Sequence, residues 1–440
     1  MTGYDGGDSG RRGPRRGPRD RKVGAGRRDR GGRRRDGSKE DAHRANPGRI
    51  AAVHSLVAVE EGQHAERALA ELAPAEGPDR GLAWNLVLGV LRRRGAIDSL
   101  LEPRLSQGVS GLDPAVRAIL RVGVYDALAT RTPVRAAVHQ AVEVSRAVGM
   151  VRASRLINAV LRRATEQQMP EDVWLDLPPW LQKRWSGWQA WVRRLAEEPR
   201  ISVAAQRSLP DDLEGEDVTV GGQAIPNART LTGRSGRIEQ LPGYSEGDWW
   251  VMDPAAMAIA DLACRHTGEG GSVLDACAAP GGKTFRISAA GFRVVAVDQD
   301  ARRLSVLREG AARLGMEISA HAHLWGADAA LDIGLFDTVV VDAPCTGLGT
   351  VRRHPEIRWR RLPSDPAAMA IRQISILESA SQHVGPGGVL IYAVCSPEPE
   401  EGPEVVAQMS GWKVIDRWAS APPTGDEDAH QAFVLVREDG

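Results

Sequence analysis

Apolar residues recur at intervals of three and four positions from about Arg49 to Thr165. This spacing is typical of helices that bury one face, because an α-helix has about 3.6 residues per turn. Within the segment, Asp113 and Pro114 stand in the order of a helix cap followed by the first helical residue. The sequence therefore predicts an all-α bundle over residues 49–165.

The pattern changes after Asp248, where short apolar runs alternate with helical stretches. Valine-rich runs in this arrangement are typical of strands buried between helices, as in a doubly wound parallel sheet. Residues 248–440 are therefore predicted to form an α/β Rossmann-like domain. Its predicted strands include residues 272–275, 293–298, 338–342 and 388–394.

The region between these two, residues 166–247, is rich in tryptophan, including Trp174, Trp180, Trp185, Trp188 and Trp191. We interpret these side chains as core rather than as a platform for stacking bases, because large aromatics mainly supply buried area. A helix is expected to begin near Pro179. The region as a whole is predicted to be a small α+β subdomain in a multidomain chain.

Charge is distributed unevenly along the chain. Lys and Arg total 57, as do Asp and Glu, yet residues 1–50 hold 16 basic and 7 acidic residues. The Arg/Gly-rich segment 1–48 has too few apolar residues to offset its ordering entropy and is predicted to be disordered. Such tails are typical of flexible arms that bind nucleic acid, and a solubilising tail is the alternative.

Composition disfavours membrane, secreted and metal-binding proteins. No run approaches the roughly 18 apolar residues of a membrane helix, and the polar N-terminus has no secretory signal, so a cytoplasmic location is expected. The four cysteines form no C-x-x-C pair, so no metal site is predicted. Cys345 and Cys395 could pair in three dimensions, but a reducing compartment favours free thiols. No segment has the pattern of an oligomerisation helix, so a monomer is predicted.

A glycine-rich turn follows the strand that ends at Asp275 and opens a helix, in the sequence Asp-Ala-Cys-Ala-Ala-Pro-Gly-Gly-Lys-Thr. Backbone N–H groups at such a helix start face a bound ligand, and Gly281 and Gly282 let it approach without a Cβ in the way. The next strand ends at Asp298, where an acid can accept hydrogen bonds from a ribose diol. The pattern predicts an adenosine-containing cofactor.

The same turn differs from two well-known nucleotide-binding loops. A phosphate-binding G-x-x-x-x-G-K-[ST] loop needs glycine where this chain has Cys277, which disfavours a P-loop nucleotidase. The dinucleotide motif G-x-G-x-x-G is absent from the turn as well. S-adenosylmethionine therefore fits better than ATP or NAD, because it has no diphosphate to be held.

Two cysteines directly follow apolar runs that are predicted strands, Cys345 after Asp342-Ala343-Pro344 and Cys395 after Tyr392-Ala393-Val394. The carboxyl ends of strands in an open parallel sheet are where such folds bind ligands. Two thiols beside a cofactor loop indicate covalent chemistry on a base.

These three segments, residues 275–284, 342–345 and 393–396, resemble motifs of the RNA cytosine-C5 methyltransferases of the Sun/Fmu type. The helical region is similar to the NusB-like RNA-binding domain in residues 88–95, 112–114, 121–125, 136–138 and 157–162. Together they point to the branch that acts on 16S rRNA. The resemblance implies transfer of a methyl group from S-adenosylmethionine to carbon 5 of a cytosine in RNA. The alternative is a non-catalytic RNA-binding assembly factor on the same scaffold.

The resemblance also implies residue roles. Cys395 would add to carbon 6 of the base, Cys345 would assist release, Asp342 would contact the N3/N4 edge of a flipped cytosine, and Lys283 would line the same pocket. Asp298 would hold the ribose and Asp328 would approach the adenine amine. The residues expected to bind the cofactor are Ala278, Ala279, Pro280, Gly281, Gly282, Lys283, Asp298, Arg303, Asp328 and Asp342. Cys264 and Cys277 are interpreted as structural.

Some positions depart from the family pattern, namely residues 202–206, Met252 and the C-terminal strand around residues 428–433. They leave the thiols and cofactor residues intact, so they bear on RNA positioning. Two basic features have open interpretations. The loop 351–356 could contact RNA phosphate or be solvated, and the clusters 92–94 and 162–163 could be solvated helix ends or part of an RNA-facing surface.

Overall fold

The computed structural model describes residues 45–233, 237–326 and 331–438. Nearly all of the predicted disordered tail, residues 1–48, lies outside these ranges, and Asp328 does too. Within the described residues, no helix is both long and apolar enough to cross a membrane.

The N-terminal region is helical, as its apolar period predicts. Side-chain oxygens of Asn46 and Asp113 accept hydrogen bonds from backbone N–H groups of the helices that follow them, which confirms the predicted cap at Asp113. The apolar faces meet in one core, where burial of a side chain such as Leu86 contributes roughly 1.5–3 kcal/mol. The helices are α1 (Pro47–Glu60), α2 (Ala65–Leu72), α3 (Pro78–Arg92), α4 (Arg94–Leu101), α5 (Pro114–Ala129), α6 (Val134–Ala147) and α7 (Ser154–Ala164).

Two short helices and a small antiparallel sheet come next. Trp185 and Trp191 are 1% and 2% exposed and pack with Trp188, so the core interpretation is confirmed for these tryptophans. The helices are α8 (Pro179–Arg184) and α9 (Gln189–Arg194). The strands, in the spatial order β2-β3-β1-β4, are β1 (Ser202–Ala205), β2 (Gly215–Val220), β3 (Gln223–Leu231) and β4 (Trp249–Val251).

The C-terminal region is the predicted Rossmann-like α/β fold. Its sheet has the spatial order β10-β11-β9-β8-β5-β6-β7. The strands are β5 (Ser272–Asp275), β6 (Arg293–Asp298), β7 (Ser319–Ala322), β8 (Phe336–Asp342), β9 (Val384–Val394), β10 (Trp412–Ala419) and β11 (Gln431–Arg437). The helices are α10 (Pro254–His266), α11 (Gly282–Ala289), α12 (Ala301–Arg313), α13 (Ile357–Arg360), α14 (Asp365–Ser381) and α15 (Pro403–Val406).

The four predicted strands are β5, β6, β8 and the end of β9, and they pair in parallel with one another. The sheet is nevertheless mixed, because β11 runs antiparallel to β9, and β10 runs antiparallel to β11. Neighbouring side chains of β5 enter different cores, with Val273 on one face of the sheet and Leu274 on the other. Burial on both faces explains why the central strands are apolar without interruption.

The segment that follows β8 packs against the helical bundle. The indole N–H of Trp359 donates a hydrogen bond to the carbonyl of Leu91 (2.8 Å), and the backbone N–H of Ala65 donates one to Glu356 (3.3 Å). Trp359 also lies under the guanidinium of Arg94, 4.9 Å from the ring centroid. The bundle is therefore attached close to the ends of the central strands.

Candidate active site at the strand ends

The glycine-rich turn lies where the sequence predicts it, between the end of β5 and the start of α11. Gly281 has a left-handed backbone conformation, with φ of 117°. A Cβ on this residue would also lie 2.5 Å from the ring of Phe285. Both constraints require glycine, so the sequence of the turn is dictated by its geometry.

Asp298 and Arg303 hold this turn from the side of β6. The carboxylate of Asp298 is 3% exposed and accepts hydrogen bonds from the backbone N–H groups of Ala279 (3.1 Å) and Asp300 (2.9 Å). The guanidinium of Arg303 donates to the carbonyl of Ala279 and lies 3.7 Å from Asp298. Two of the predicted cofactor residues thus fix the position of the turn.

A cavity of about 330 Å³ lies against the turn. Six of the predicted residues line it, namely Ala278, Ala279, Pro280, Gly282, Lys283 and Asp342. The other walls of the cavity include Trp250, Met252, Asp253, Asp275 and Phe285, which were not assigned to the site from the sequence. Asp275 ends β5 and Phe285 lies on α11, next to the turn in the chain. Trp250 of β4 and the loop residues Met252 and Asp253 are brought to the turn only by the tertiary fold.

Asp275 is a buried acid on the wall of this cavity. One carboxylate oxygen accepts a hydrogen bond from the hydroxyl of Thr284 (2.6 Å), and the other has no partner among the described residues. Burial raises the pKa of Asp275 to about 6. A buried, unpaired acceptor is costly unless a ligand completes its hydrogen bonding.

Lys283 and Asp342 form an ion pair in the same cavity, with 2.7 Å between Nζ and a carboxylate oxygen. The Lys283 side chain is 9% exposed and that of Asp342 is 29% exposed. Burial disfavours the charge on Lys283, but the carboxylate of Asp342 outweighs burial and raises the pKa of the lysine. The pair brings a fixed cation and a partly accessible anion to the end of β8.

The two cysteines meet at this edge of the sheet, since β8 and β9 are neighbours. Their Sγ atoms are 3.0 Å apart, and both are free thiols. A hydrogen bond to Cys395 and burial raise the pKa of Cys345 well above its usual range. The Cys345 thiol therefore stays protonated, within hydrogen-bond distance of the sulfur of Cys395.

Glu401 is a further residue of this site that sequence analysis did not identify. It is fully buried, and its carboxylate accepts hydrogen bonds from Thr346, Ser396 and Gln373. Thr346 and Ser396 are the residues that follow the two cysteines. Glu401 lies in a run rich in proline and glutamate, so nothing in the sequence distinguishes it from its neighbours.

The basic loop 351–356 was interpreted either as a contact to RNA phosphate or as solvated, and both interpretations are wrong for Arg352 and Arg353. Arg352 is 4% exposed and pairs with Asp426 (3.1 Å). Arg353 pairs with Asp253 (2.9 Å) and Asp428 (3.0 Å). These side chains join loops of the protein to one another, so they are neither solvated nor directed at RNA.

His430 also lies beside this ion-pair network, at the departure from the family pattern in the C-terminal strand. It is 4% exposed, its Nδ1 is 4.0 Å from Asp253, and burial lowers its pKa. It lies two positions after Asp428, whose pKa burial raises to about 7. The imidazole is therefore neutral at physiological pH.

Comparison with known protein families gives two matches. A family model described as 16S rRNA methyltransferase RsmB/F matches residues 264–417. A NusB family model matches residues 46–166. The first match contains the turn, the ion pair and both cysteines, and the second contains the helical bundle.

Individual relatives match most of the chain. Ribosomal RNA small subunit methyltransferase B of Thermus thermophilus is 36% identical over 376 residues, which cover 82% of this chain and 87% of that protein. The protein of the same name from Pseudomonas syringae pv. tomato is 33% identical over 437 residues, covering 90% of this chain and 94% of that protein. The crystal structure of PH0851 superposes with a TM-score of 0.72 at 21% identity, covering 89% of this chain and 99% of that one, and shows the same fold.

Proposed function

The chain belongs to the RsmB/F family of 16S rRNA methyltransferases, and we propose that it methylates carbon 5 of a cytosine in 16S rRNA through a covalent bond from Cys395 to carbon 6. The observation that carries this proposal is the pair of free thiols, 3.0 Å apart, at the ends of β8 and β9. The expected methyl donor, S-adenosylmethionine, is the cofactor of this family.

The walls of the 330 Å³ cavity fit this donor. The unpartnered oxygen of Asp275 can accept a hydrogen bond from its ammonium group. Trp250 and Phe285, which pack edge to face with ring centroids 6.0 Å apart, supply an apolar wall. We assign Asp298 to the ribose hydroxyls, and the role of Asp328 at the adenine stays a prediction. When bound, the donor supplies an electrophilic methyl group.

The reaction begins with Cys395. Carbon 5 of cytosine is a poor nucleophile until a thiolate adds to carbon 6, which shifts the electron pair of the 5,6 double bond onto carbon 5. An electrostatic interaction with Cys395 helps to raise the pKa of Lys283, so the ammonium is close enough to act on this sulfur. The sulfur of Cys345 lies 3.0 Å from that of Cys395, close enough for the Cys345 thiol to donate a hydrogen bond to a Cys395 thiolate.

Methyl transfer and release follow. The bound donor would supply its methyl group to the electron pair on carbon 5, and the donor sulfur would keep the electron pair of the bond it gives up. Carbon 5 then loses its proton to a base, the 5,6 double bond re-forms, and the Cys395 thiolate departs from carbon 6. We assign Cys345 to this release step because its sulfur is in contact with that of Cys395. Asp342, partly exposed and paired with Lys283, is assigned to the N3/N4 edge of the flipped cytosine.

The substrate of this proposal is RNA, and the NusB-like bundle is assigned to binding it. A cytoplasmic location, where ribosomal RNA is found, and a monomeric state stay predictions.

Nucleoside analysis tests the proposed reaction. Unmethylated 16S rRNA is incubated with S-adenosylmethionine and the full chain, digested, and examined for 5-methylcytidine. We expect 5-methylcytidine with the native chain and with Cys264→Ala, a thiol outside the site, but none with Cys395→Ala. A methyl group on another atom or base, or full activity of Cys395→Ala, would contradict the proposal.

A further inference from the structure

A second cavity, of about 610 Å³, lies between the helical bundle and the segment that leads into β1. Trp84 and Arg92 of α3 and Tyr125 of α5 form one wall, and Glu198 and Arg200 lie on the other side. It shares no lining residue with the cavity at the glycine-rich turn. Its volume is in the range of sites that bind a small molecule or one residue of a polymer.

Arg92 is an unpaired cation in this wall. It is 9% exposed, it makes no hydrogen bond or ion pair with another residue of the described ranges, and its Nε is buried without a partner. Burial lowers the pKa of Arg92, and the carboxylate of Glu198 on the other side of the cavity partly offsets this effect without forming an ion pair in contact with Arg92. Burying a charge without a contacting counter-ion is costly, so a guanidinium in a cavity wall indicates that a ligand supplies the contacting anion.

The other two arginines of the cluster are already occupied. Arg93 donates a hydrogen bond to Asp176 (2.8 Å), and Arg94 lies over the ring of Trp359. Neither needs an external partner. The three arginines of the cluster 92–94 therefore have different surroundings, and among the described residues Arg92 is the one without a hydrogen-bonded or ion-paired partner.

The same wall contains two half-buried aromatic side chains, Trp84 and Tyr125. The indole N–H of Trp84 is buried without a partner in the described part of the chain. Aromatic side chains stack on unpaired bases, and arginine and N–H donors bind phosphate oxygens. The combination suits one nucleotide of single-stranded RNA better than an apolar ligand.

One side chain connects this cavity to the proposed active site. The guanidinium of Arg353 donates hydrogen bonds to the carbonyl of Arg200 (3.0 Å) and to the carboxylate of Asp253 (2.9 Å). Arg200 lines the 610 Å³ cavity, and Asp253 lines the cavity at the glycine-rich turn. An RNA strand held in one cavity would therefore lie near the other.

We propose that the 610 Å³ cavity binds one nucleotide of the substrate RNA, with a phosphodiester against Arg92 and the base against Trp84 and Tyr125. This nucleotide is not the methylated one, because the cysteines lie at the other site. The inference rests on the RNA substrate of the proposed function and adds a place where the strand is held while the target cytosine is unstacked.

Binding of the full chain to unmethylated 16S rRNA at several salt concentrations tests this site. Arg92→Gln is expected to weaken binding about tenfold, because a charge-assisted contact to phosphate is lost. The slope of log affinity against log salt is expected to fall by about one. Arg265→Gln, which removes an exposed arginine at the end of α10, outside the helical bundle, should change affinity much less. Equal affinity and slope for Arg92→Gln and the native chain would overturn the proposal.

A second pair of variants leaves the buried Arg92 unchanged, and one of them is expected to change RNA affinity in the opposite direction. Glu198→Gln removes a negative charge from the cavity and should strengthen binding about twofold to threefold, because rim charges contribute modestly. Glu197→Gln makes the same change on the adjacent exposed residue outside the cavity and should leave affinity unchanged. Equal responses of the two glutamates would overturn the proposal, and this pair decides if Arg92→Gln does not fold.

Methylation assays on the same samples separate this inference from the proposed reaction. Normal 5-methylcytidine formation together with binding that is independent of Arg92 would overturn the nucleotide site alone. Binding that depends on Arg92 without any 5-methylcytidine would support the nucleotide site and overturn the reaction.

Discussion

Glu401 accepts two hydrogen bonds from Thr346, one from the backbone N–H at 2.7 Å and one from the hydroxyl at 2.5 Å. The same carboxylate accepts a hydrogen bond from the hydroxyl of Ser396 at 2.5 Å. Because these residues follow Cys345 and Cys395, one buried acid fixes the two cysteine loops relative to each other. Glu401 is therefore a positioning residue for the thiol pair.

The variant Glu401→Gln should lower kcat about tenfold to a hundredfold with little change in KM for the methyl donor, because small displacements of reacting groups are costly. The amide places an N–H₂ group among partners that all donate to the native carboxylate. Steady-state methyl transfer to 16S rRNA measures both constants. Glu404→Gln, an exposed change on α15, is the control, and equal kcat values for the two variants would refute the positioning role.

The ion pair at the end of β8 is expected to contribute to catalysis. Lys283→Met removes the cation beside Asp342 and Cys395 and should reduce kcat/KM by about 10²–10³, the usual effect of losing one electrostatic group in an active site. Lys183→Met, which changes an exposed lysine of α8, should be neutral. Initial rates at low RNA concentration give the ratio. A Lys283→Met rate within threefold of the native rate would remove this residue from the mechanism.

Asp298 should control affinity for the methyl donor. Asp298→Ala removes the acceptor for the N–H of Ala279 and the proposed ribose contact, so Kd for S-adenosylmethionine should rise about tenfold to a hundredfold. Asp300→Ala, which removes the cap of α12, should lower Tm without changing Kd. Isothermal titration calorimetry distinguishes the two. Similar Kd values for both variants would contradict the assignment.

The pH dependence of the free energy of unfolding should show the raised pKa of Asp275. Its folded-state pKa of about 6 lies above the value of about 3.9 in an unfolded chain. The folded protein therefore binds this proton more tightly, and the stabilisation present below pH 4 is lost as pH rises towards 6.

Asp275→Asn lacks this titration. The free energy of unfolding of the variant, relative to the native chain, should rise by up to about 3 kcal/mol between pH 4 and 6 and then stay constant. Denaturant unfolding at each pH measures the difference. A difference that does not change with pH would show that Asp275 is not shifted in the folded state.

Local features of the site could be predicted from sequence because their constraints are local. Gly281 is needed for a left-handed conformation beside Phe285, and that need is visible in the sequence of the turn. Strands β5, β6, β8 and β9 were predictable because burial on both faces makes them apolar throughout. Strand β10 was not, because the polarity of its residues does not follow its alternating burial: Ile415 is exposed and Asp416 is half-buried.

Roles that depend on partners far away in the chain could not be predicted from the sequence. The ion-pair partners of Arg353 lie 75 and 100 positions away in the chain. The sequence therefore does not reveal that the rest of the protein holds this loop. Glu401 is 55 residues from Thr346, and the meaning of its position depends on β8 and β9 being neighbours. Arg92 was visible as part of a basic cluster, but its lack of a partner is a property of the packing around it.

The covalent bond to Cys395 is tested most directly by trapping it. Cys345→Ala, and Cys345→Ala combined with Cys395→Ala, are incubated with 16S rRNA and S-adenosylmethionine and run on a denaturing gel. We expect a slow-migrating, nuclease-sensitive band for the single variant, because release is impaired, and no such band for the double variant. A band that persists without Cys395, or no band from folded Cys345→Ala protein, would contradict the proposed mechanism.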